Sequence, residues 1–171
     1  MDLVTRRTMR AGWAALAMAL LWGCDPFAPS EPESPTVAGS VRAASSPSEV
    51  PTLLGRGLAG GNVLQAVAVV DPAFRGLSGS LPFSRPDFVT CLERLVKGGL
   101  DTARFSWTST PSGASDSVSG DVDWLLVESG GGRWQGRATW GVVRGESAEW
   151  TLVRWSEPAT SGDWSDACGG F

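Results

Sequence analysis

The sequence predicts an α+β domain: three N-terminal helices packed on one antiparallel sheet. Three observations carry this. Up to Gly99 the apolar residues recur every three or four positions, the spacing of a helix face. From Ala103 onward they alternate with polar ones, the spacing of half-buried strands. The alternating segments are joined by short glycine-containing turns, Ser129-Gly130-Gly131-Gly132 and Arg144-Gly145-Glu146-Ser147, and strands joined that way form an antiparallel meander. Helices first and strands after place the helices against a single sheet.

Ser48 is the expected N-cap of the first helix, with Pro51 in the first turn, where a missing N–H does little harm. Val50, Leu53, Leu54, Gly57 and Leu58 form its face, and Gly60-Gly61 stops it. Asn62 with Gln65 three later reads as a capping box opening a second helix, which runs to Val70 and ends at Asp71-Pro72. The third helix is the clearest. Ser84 caps it, Pro86 and Asp87 lie in its first turn, and Gly98-Gly99 terminate it. Its apolar face is Phe88, Cys91, Leu92, Leu95 and Val96. The sheet then begins with Ala103, Phe105 and Trp107 alternating against Arg104, Ser106 and Thr108. It continues through 119–128, 133–144 and 147–156.

From Ser48 to Glu157 this order resembles the nuclear transport factor 2-like (SnoaL-like) superfamily. The resemblance rests on a helix ending in Gly60-Gly61-Asn62 and a short second helix closing at Val70-Asp71-Pro72-Ala73-Phe74. It rests also on helix 86–97 leading into Arg104-Phe105-Ser106-Trp107, and on a closing strand Trp150-Thr151-Leu152-Val153-Arg154-Trp155. It implies a cone-shaped domain on a curved sheet, often paired into a homodimer through the outer sheet face. The superfamily includes cyclases, isomerases and non-catalytic pocket or dimerisation domains, so the fold does not fix the activity. The isomerase branch builds its oxyanion hole from Tyr and a protonated Asp, and cyclase branches commonly use Asp with His. This chain has no Tyr and no His, so no catalytic residue carries over.

Ahead of the domain, residues 1–23 resemble a bacterial lipoprotein signal peptide. Arg6, Arg7 and Arg10 precede a short apolar run from about Gly12 to Trp22, and Leu21-Trp22-Gly23-Cys24 resembles the lipoprotein box, Trp22 being its one departure. The run is too short for a hydrocarbon core that takes about 20 residues. Cys24 is then the lipidation site and the membrane the first partner; a plain secretory peptide is the alternative. Thr5-Arg6-Arg7-Thr8-Met9-Arg10 resembles a twin-arginine export motif. Residues 24–47 are rich in Pro, Ser, Ala and Glu and read as a flexible tether, leaving 48–171 as the domain.

Composition excludes several classes. Removing residues 1–23 takes three arginines and one aspartate from 14 basic and 18 acidic residues, so the remainder carries a net charge of −6. That is no footprint for nucleic acid. Without His, Ser-His-Asp and Cys-His catalysis are absent and zinc loses its commonest nitrogen ligand, so no cofactor or metal is expected. Outside the cytoplasm Cys91 and Cys168 are candidates for a disulfide, the alternative being two free thiols. Gly55-Arg56-Gly57-Leu58-Ala59-Gly60 matches G-x-G-x-x-G, but on a helix with no βαβ unit it does not read as a nucleotide site.

The chemistry available is aromatic. Strand parity puts Trp134, Gly136, Ala138, Trp140 and Val142 on one face, with Ala148, Trp150, Leu152 and Arg154 aligned. These read first as core. As a pocket, Trp107, Trp124, Trp134, Trp140, Trp150 and Arg154 are its expected lining, with Gly136 and Ala138 leaving room and Arg154 the one inward charge. The other face carries Asp121, Asp123, Arg133, Arg137 and Glu149 as an exposed charge ladder, and Val127, Val143, Val153 and Trp155 as an apolar part that something covers. The reading is an exported, lipid-anchored envelope protein acting as a non-catalytic binding or interaction module. The alternatives are a cyclase- or isomerase-like enzyme using Asp or Glu alone, and a structural dimeric envelope protein.

Overall fold

The computed structural model describes residues 40–159 and 163–170. Expectations for the signal peptide, for Cys24 and for the tether up to residue 39 lie outside them. The elements run α1 (Glu49–Ala59), α2 (Val63–Ala68), β1 (Val70–Ser78), β2 (Leu81–Ser84), α3 (Arg85–Lys97), β3 (Leu100–Trp107), β4 (Ser112–Ala114), β5 (Ser117–Glu128), β6 (Arg133–Arg144), β7 (Trp150–Glu157) and α4 (Trp164–Ala167). The sheet is mixed, not purely antiparallel: its order is β2-β1-β7-β6-β5-β3, with β4 on β5, and β1 runs parallel to β7.

The helices form for local reasons. Asn62 caps α2 through its side chain, which accepts from the Gln65 amide at 3.0 Å. The reciprocal half of the box is absent, because the Gln65 side chain instead clamps the Arg42 backbone, accepting from its N–H at 2.6 Å and donating to its carbonyl at 2.8 Å. Ser84 and Asp87 complete a capping box on α3, with Pro86 in its first turn. Ser48 makes no side-chain cap on α1. Its neighbour Glu49 accepts instead from Ser45 and Arg42. Residues 42–45 thus belong to the domain, and Ala44 forms an isolated antiparallel bridge with Trp150 at the start of β7.

The glycine motif of α1 is a packing device. A Cβ at Gly57 would stand 2.6 Å from the Ala66 backbone nitrogen, and one at Gly55 would stand 2.8 Å from the Ala103 carbonyl, so the helix presses on α2 and β3 at once.

Residues 70–84 depart from expectation. Asp71-Pro72 does not stop a helix; it opens β1, where the register against β7 shifts between Val70 and Arg75. Pro is tolerated there because the ladder is already irregular. Asp71 closes a local turn by accepting from Ala73 at 2.7 Å. Gly79, at φ +59°, and Ser80 make the two-residue turn into β2.

Candidate functional site

The site to test is the interior of the cone, between the helices and the inner face of the sheet. On β6, Ala138, Trp140 and Val142 are buried while Arg133, Gln135, Arg137 and Thr139 are exposed, as alternation requires. Trp124 of β5 pairs with Gly136 and is 2 % exposed. The room expected at Gly136 is taken: a Cβ there would lie 2.7 Å from the Trp124 ring.

β7 changes parity halfway. Gly141 pairs with Arg154 but Val142 with Leu152, so Val153 is an extra residue, a β-bulge. Trp150 and Leu152 point inward before it, and Trp155 and Glu157 after it. Arg154, expected inside, is exposed, and Trp155, expected outside, is 1 % exposed.

The six candidate pocket residues therefore separate. Trp140 and Trp124 lie in the centre. Trp107 is half-buried and donates its indole N–H to the Pro47 carbonyl at 3.2 Å. Trp134 is half-buried against Gly132. Trp150 is buried beside Ala44, and Arg154 is on the other face.

Sequence reasoning missed two central residues, Trp164 and Glu157. Trp164 comes from α4, after the closing strand, and is fully buried. Its ring centroid lies 4.7 Å from Trp155, 5.2 Å from Phe88 and 5.7 Å from Trp124. Trp140 packs tilted against Trp155, with ring centroids 5.1 Å apart. Cys91 of α3 and Cys168, just after α4, form a disulfide with a Cα–Cα separation of 5.2 Å.

Glu157 is the buried carboxylate, 5 % exposed. It accepts from Ser78 Oγ at 2.6 Å, from the Trp164 backbone N–H at 2.5 Å and from Trp124 Nε1 at 3.2 Å. Burial pushes its pKa above the ordinary glutamate range, and the hydrogen bonds from Ser78, Trp164 and Trp124 pull the other way. The only clue to its inward position was the bulge, which single-strand parity does not show. Among the described residues no group of three or more His, Cys, Asp or Glu could hold a metal ion.

The outer face carries the charge ladder. Arg137 donates to both oxygens of Asp123, at 2.7 and 3.2 Å, and Thr139 donates to Asp121 at 2.7 Å. Exposed pairs of this kind contribute little stability. A groove of about 600 Å³ runs among Arg104, Asp123, Leu125, Gln135 and Arg137, and a second of about 430 Å³ lies at Val143, Val153 and Arg154. Val127, Val143 and Val153 are half-buried on this face.

The three-dimensional arrangement is matched among solved structures. A conserved protein from Planctomyces limnophilus DSM 3776 aligns with a TM-score of 0.55 at 16% identity, over 64% of this chain and 89% of that one. A nuclear transport factor 2-like protein of unknown function from Shewanella oneidensis MR-1 aligns with a TM-score of 0.55 at 8% identity, over 64% and 93%. The fold is nuclear transport factor 2-like. A calcium/calmodulin-dependent protein kinase type II association domain from Thiobacillus denitrificans ATCC 25259, so described provisionally, shares the fold with a TM-score of 0.53 at 14% identity, over 70% and 99%. No family model matches the sequence, and no curated protein matches it. Within this nuclear transport factor 2-like domain, a carboxylate stands inside the cone, and the chain's own C-terminal turn stands against it.

Proposed function

We propose that the chain is an exported envelope protein, anchored to the membrane through a lipidated Cys24, and that it works as a non-catalytic interaction module. Its working surface is the outer face of the sheet, paired with a second copy. The observation that carries this reading is the division of labour between the two faces. The inner face is closed on its own tryptophans, and its carboxylate is engaged by Ser78, Trp124 and Trp164. The outer face offers Val143 and Val153 beside Arg154, with Asp123 and Arg137 in a second groove on the same face. An isologous pairing needs such a self-complementary mixture.

The test has two parts. In a bacterial host, membrane fractionation and acyl labelling of the full chain against Cys24→Ala should show membrane association and label lost in the variant. Light scattering on size-exclusion eluate at high micromolar concentration should give a dimer, and Val143→Glu with Val153→Glu should give a monomer. A monomeric wild-type chain removes the interface, and unlabelled, freely soluble full-length chain removes the anchor.

One observation favours a second reading, an enzyme of the cyclase or isomerase kind working with a single carboxylate. A buried carboxyl with a raised pKa is what a general acid or base at neutral pH requires. In this chain the Trp164 backbone N–H occupies Glu157 Oε1, a contact that a substrate would have to replace.

A further inference from the structure

The C-terminal turn has the marks of a bound ligand. α4 is four residues long and places one large side chain in the middle of the cone. Trp164 touches aromatic rings from α3, β3, β5 and β7, namely Phe88, Phe105, Trp124 and Trp155. At that end of the interior stand the buried polar side chains Glu157 and Ser78, and both face the backbone of this turn. Glu157 Oε1 accepts from the Trp164 N–H, and Ser78 Oγ accepts from the Ser165 N–H at 3.1 Å.

The fit is incomplete in polarity. The indole N–H of Trp164 is buried with no acceptor, and so are those of its neighbours Trp140 and Trp155. Buried donors are nearly always paired, and an unpaired one is costly. Glu157 supplies an acceptor, and the unpaired indoles need one. A planar aromatic molecule with one donor can make the contact to Glu157 that the Trp164 backbone N–H makes, and the unpaired indole N–H of Trp164 leaves the interior with the turn.

A single covalent bond holds the turn down. Cys168, at its end, is bridged to Cys91 of α3. A cleft of about 110 Å³ lined by Asp87, Thr90, Arg94 and Gly170 lies against the bridge, whose two cysteines are otherwise buried. We propose that Asp163–Cys168 is a disulfide-latched plug seated in a binding site inside the cone. Reduction by a dithiol frees it to admit a planar aromatic ligand carrying a hydrogen-bond donor. In that step the dithiol is oxidised to its own disulfide. Its two electrons break the Cys91–Cys168 bond, and each sulfur takes up one proton. The inference goes beyond the anchored interaction module and stands on different residues from the outer face.

The test uses the full chain and 5-fluoroindole as probe, read by fluorine NMR. Three samples are compared: oxidised chain, chain reduced with dithiothreitol, and Cys91→Ser/Cys168→Ser, which needs no reductant. Hydrogen exchange over residues 163–168 and a far-UV circular dichroism melt accompany each. The expected result is no binding to the oxidised chain and saturable binding to the other two, with faster exchange at 163–168 and the fold retained. Adding Glu157→Leu to the double serine variant removes the acceptor and should weaken binding about tenfold or more. Equal binding by the oxidised chain overturns the latch. A folded reduced chain with slow exchange at 163–168 and no binding overturns the plug. Unfolding on reduction shows the bridge to be a structural staple and overturns both. None of these readouts involves a membrane or a second copy, so they leave the anchor and dimer to their own tests.

Discussion

Substituting Gly136 by alanine distinguishes a filled cone from an open one by the sign of a single stability change. If the inner face of β6 borders free space, the added methyl group meets nothing. The loss of glycine's freedom in the unfolded chain then stabilises the protein by about 0.4–1 kcal/mol. The structure says otherwise. The new Cβ would lie 2.7, 2.8 and 3.0 Å from Cζ2, Cε2 and Nε1 of Trp124, whose ring is 2 % exposed. That ring cannot yield freely, because Trp155 and Trp164 pack on it and its N–H is spent on Glu157. Overpacking of this kind costs about 1–3 kcal/mol, and subtracting the unfolded-state gain leaves a net loss of about 1–2 kcal/mol. For a domain of about 130 residues the melting temperature should fall by about 3–10 °C, read by calorimetry or circular dichroism. A thermodynamic cycle locates the cause: the crowded atoms lie along the Nε1–Cε2–Cζ2 edge of the indole, beyond the reach of a phenyl ring, so in a Trp124→Phe background Gly136→Ala should be neutral or better. A stabilised single variant would refute the packed interior and restore the room expected from the sequence.

Three further outcomes follow from the same geometry. Arg154→Ala should change stability by no more than about 0.5 kcal/mol and Trp155→Ala should lower it by about 3–5 kcal/mol in urea melts, whereas uninterrupted strand parity would reverse that order. Glu157 has its pKa raised by burial, so the folded chain binds the proton more tightly than the unfolded one. Its contribution to stability therefore falls as pH rises from about 4.5 to the raised value and is flat above it, and Glu157→Gln should remove that slope. Glu49 and Asp87, whose pKa values are lowered by hydrogen bonds from Ser45 and Ser84, work in the opposite sense below the ordinary carboxylate range and should keep their trend in the variant. Cys91→Ser/Cys168→Ser should cost at most about 4.5 kcal/mol on the chain-entropy relation for a separation of 77 residues, and less where the freed turn leaves the cone; a larger fall in the urea midpoint would count against it.

What the sequence made legible was whatever a single segment decides. The capping box at Ser84, the side-chain cap at Asn62 and the alternation of β6 all depend on residues within a few positions of each other. What escaped depends on a partner. The bulge at Val153 exists because β7 must satisfy β6 on one edge and β1 on the other, and one extra residue reverses every later side chain. The parallel pairing of β1 with β7 joins segments some 80 positions apart, and Pro72 and Gly76 gave β1 a poor strand signature. Gly76 is in fact required there, since the Phe83 ring lies where its side chain would be. The turn Gly79-Ser80 between apolar neighbours was the cue available for that hairpin. Trp164 gave no cue, because a lone tryptophan in a polar tail has no periodicity to read.

Glu157 connects these misses and makes sense of the interior. A carboxylate inside an aromatic cone opposes stability unless something offsets its lost hydration, and an apolar residue of similar volume would fill the same space more favourably. The three donors it meets come from three places: Ser78 at the end of β1, Trp124 on β5 and the first residue of α4. No pair of these is adjacent in sequence, so the carboxylate fixes how β1, the main sheet and the C-terminal turn meet. Apolar contact alone would accept Trp164 in several orientations, because an indole has two faces and hydrophobic attraction has no direction. The acceptor selects the orientation in which the Trp164 backbone points at Glu157 and Cys168 comes within bonding reach of Cys91. A group arranged to orient one occupant by a single directional contact will orient another occupant that makes the same contact. This is why closing the cone and binding within it are questions about the same residue.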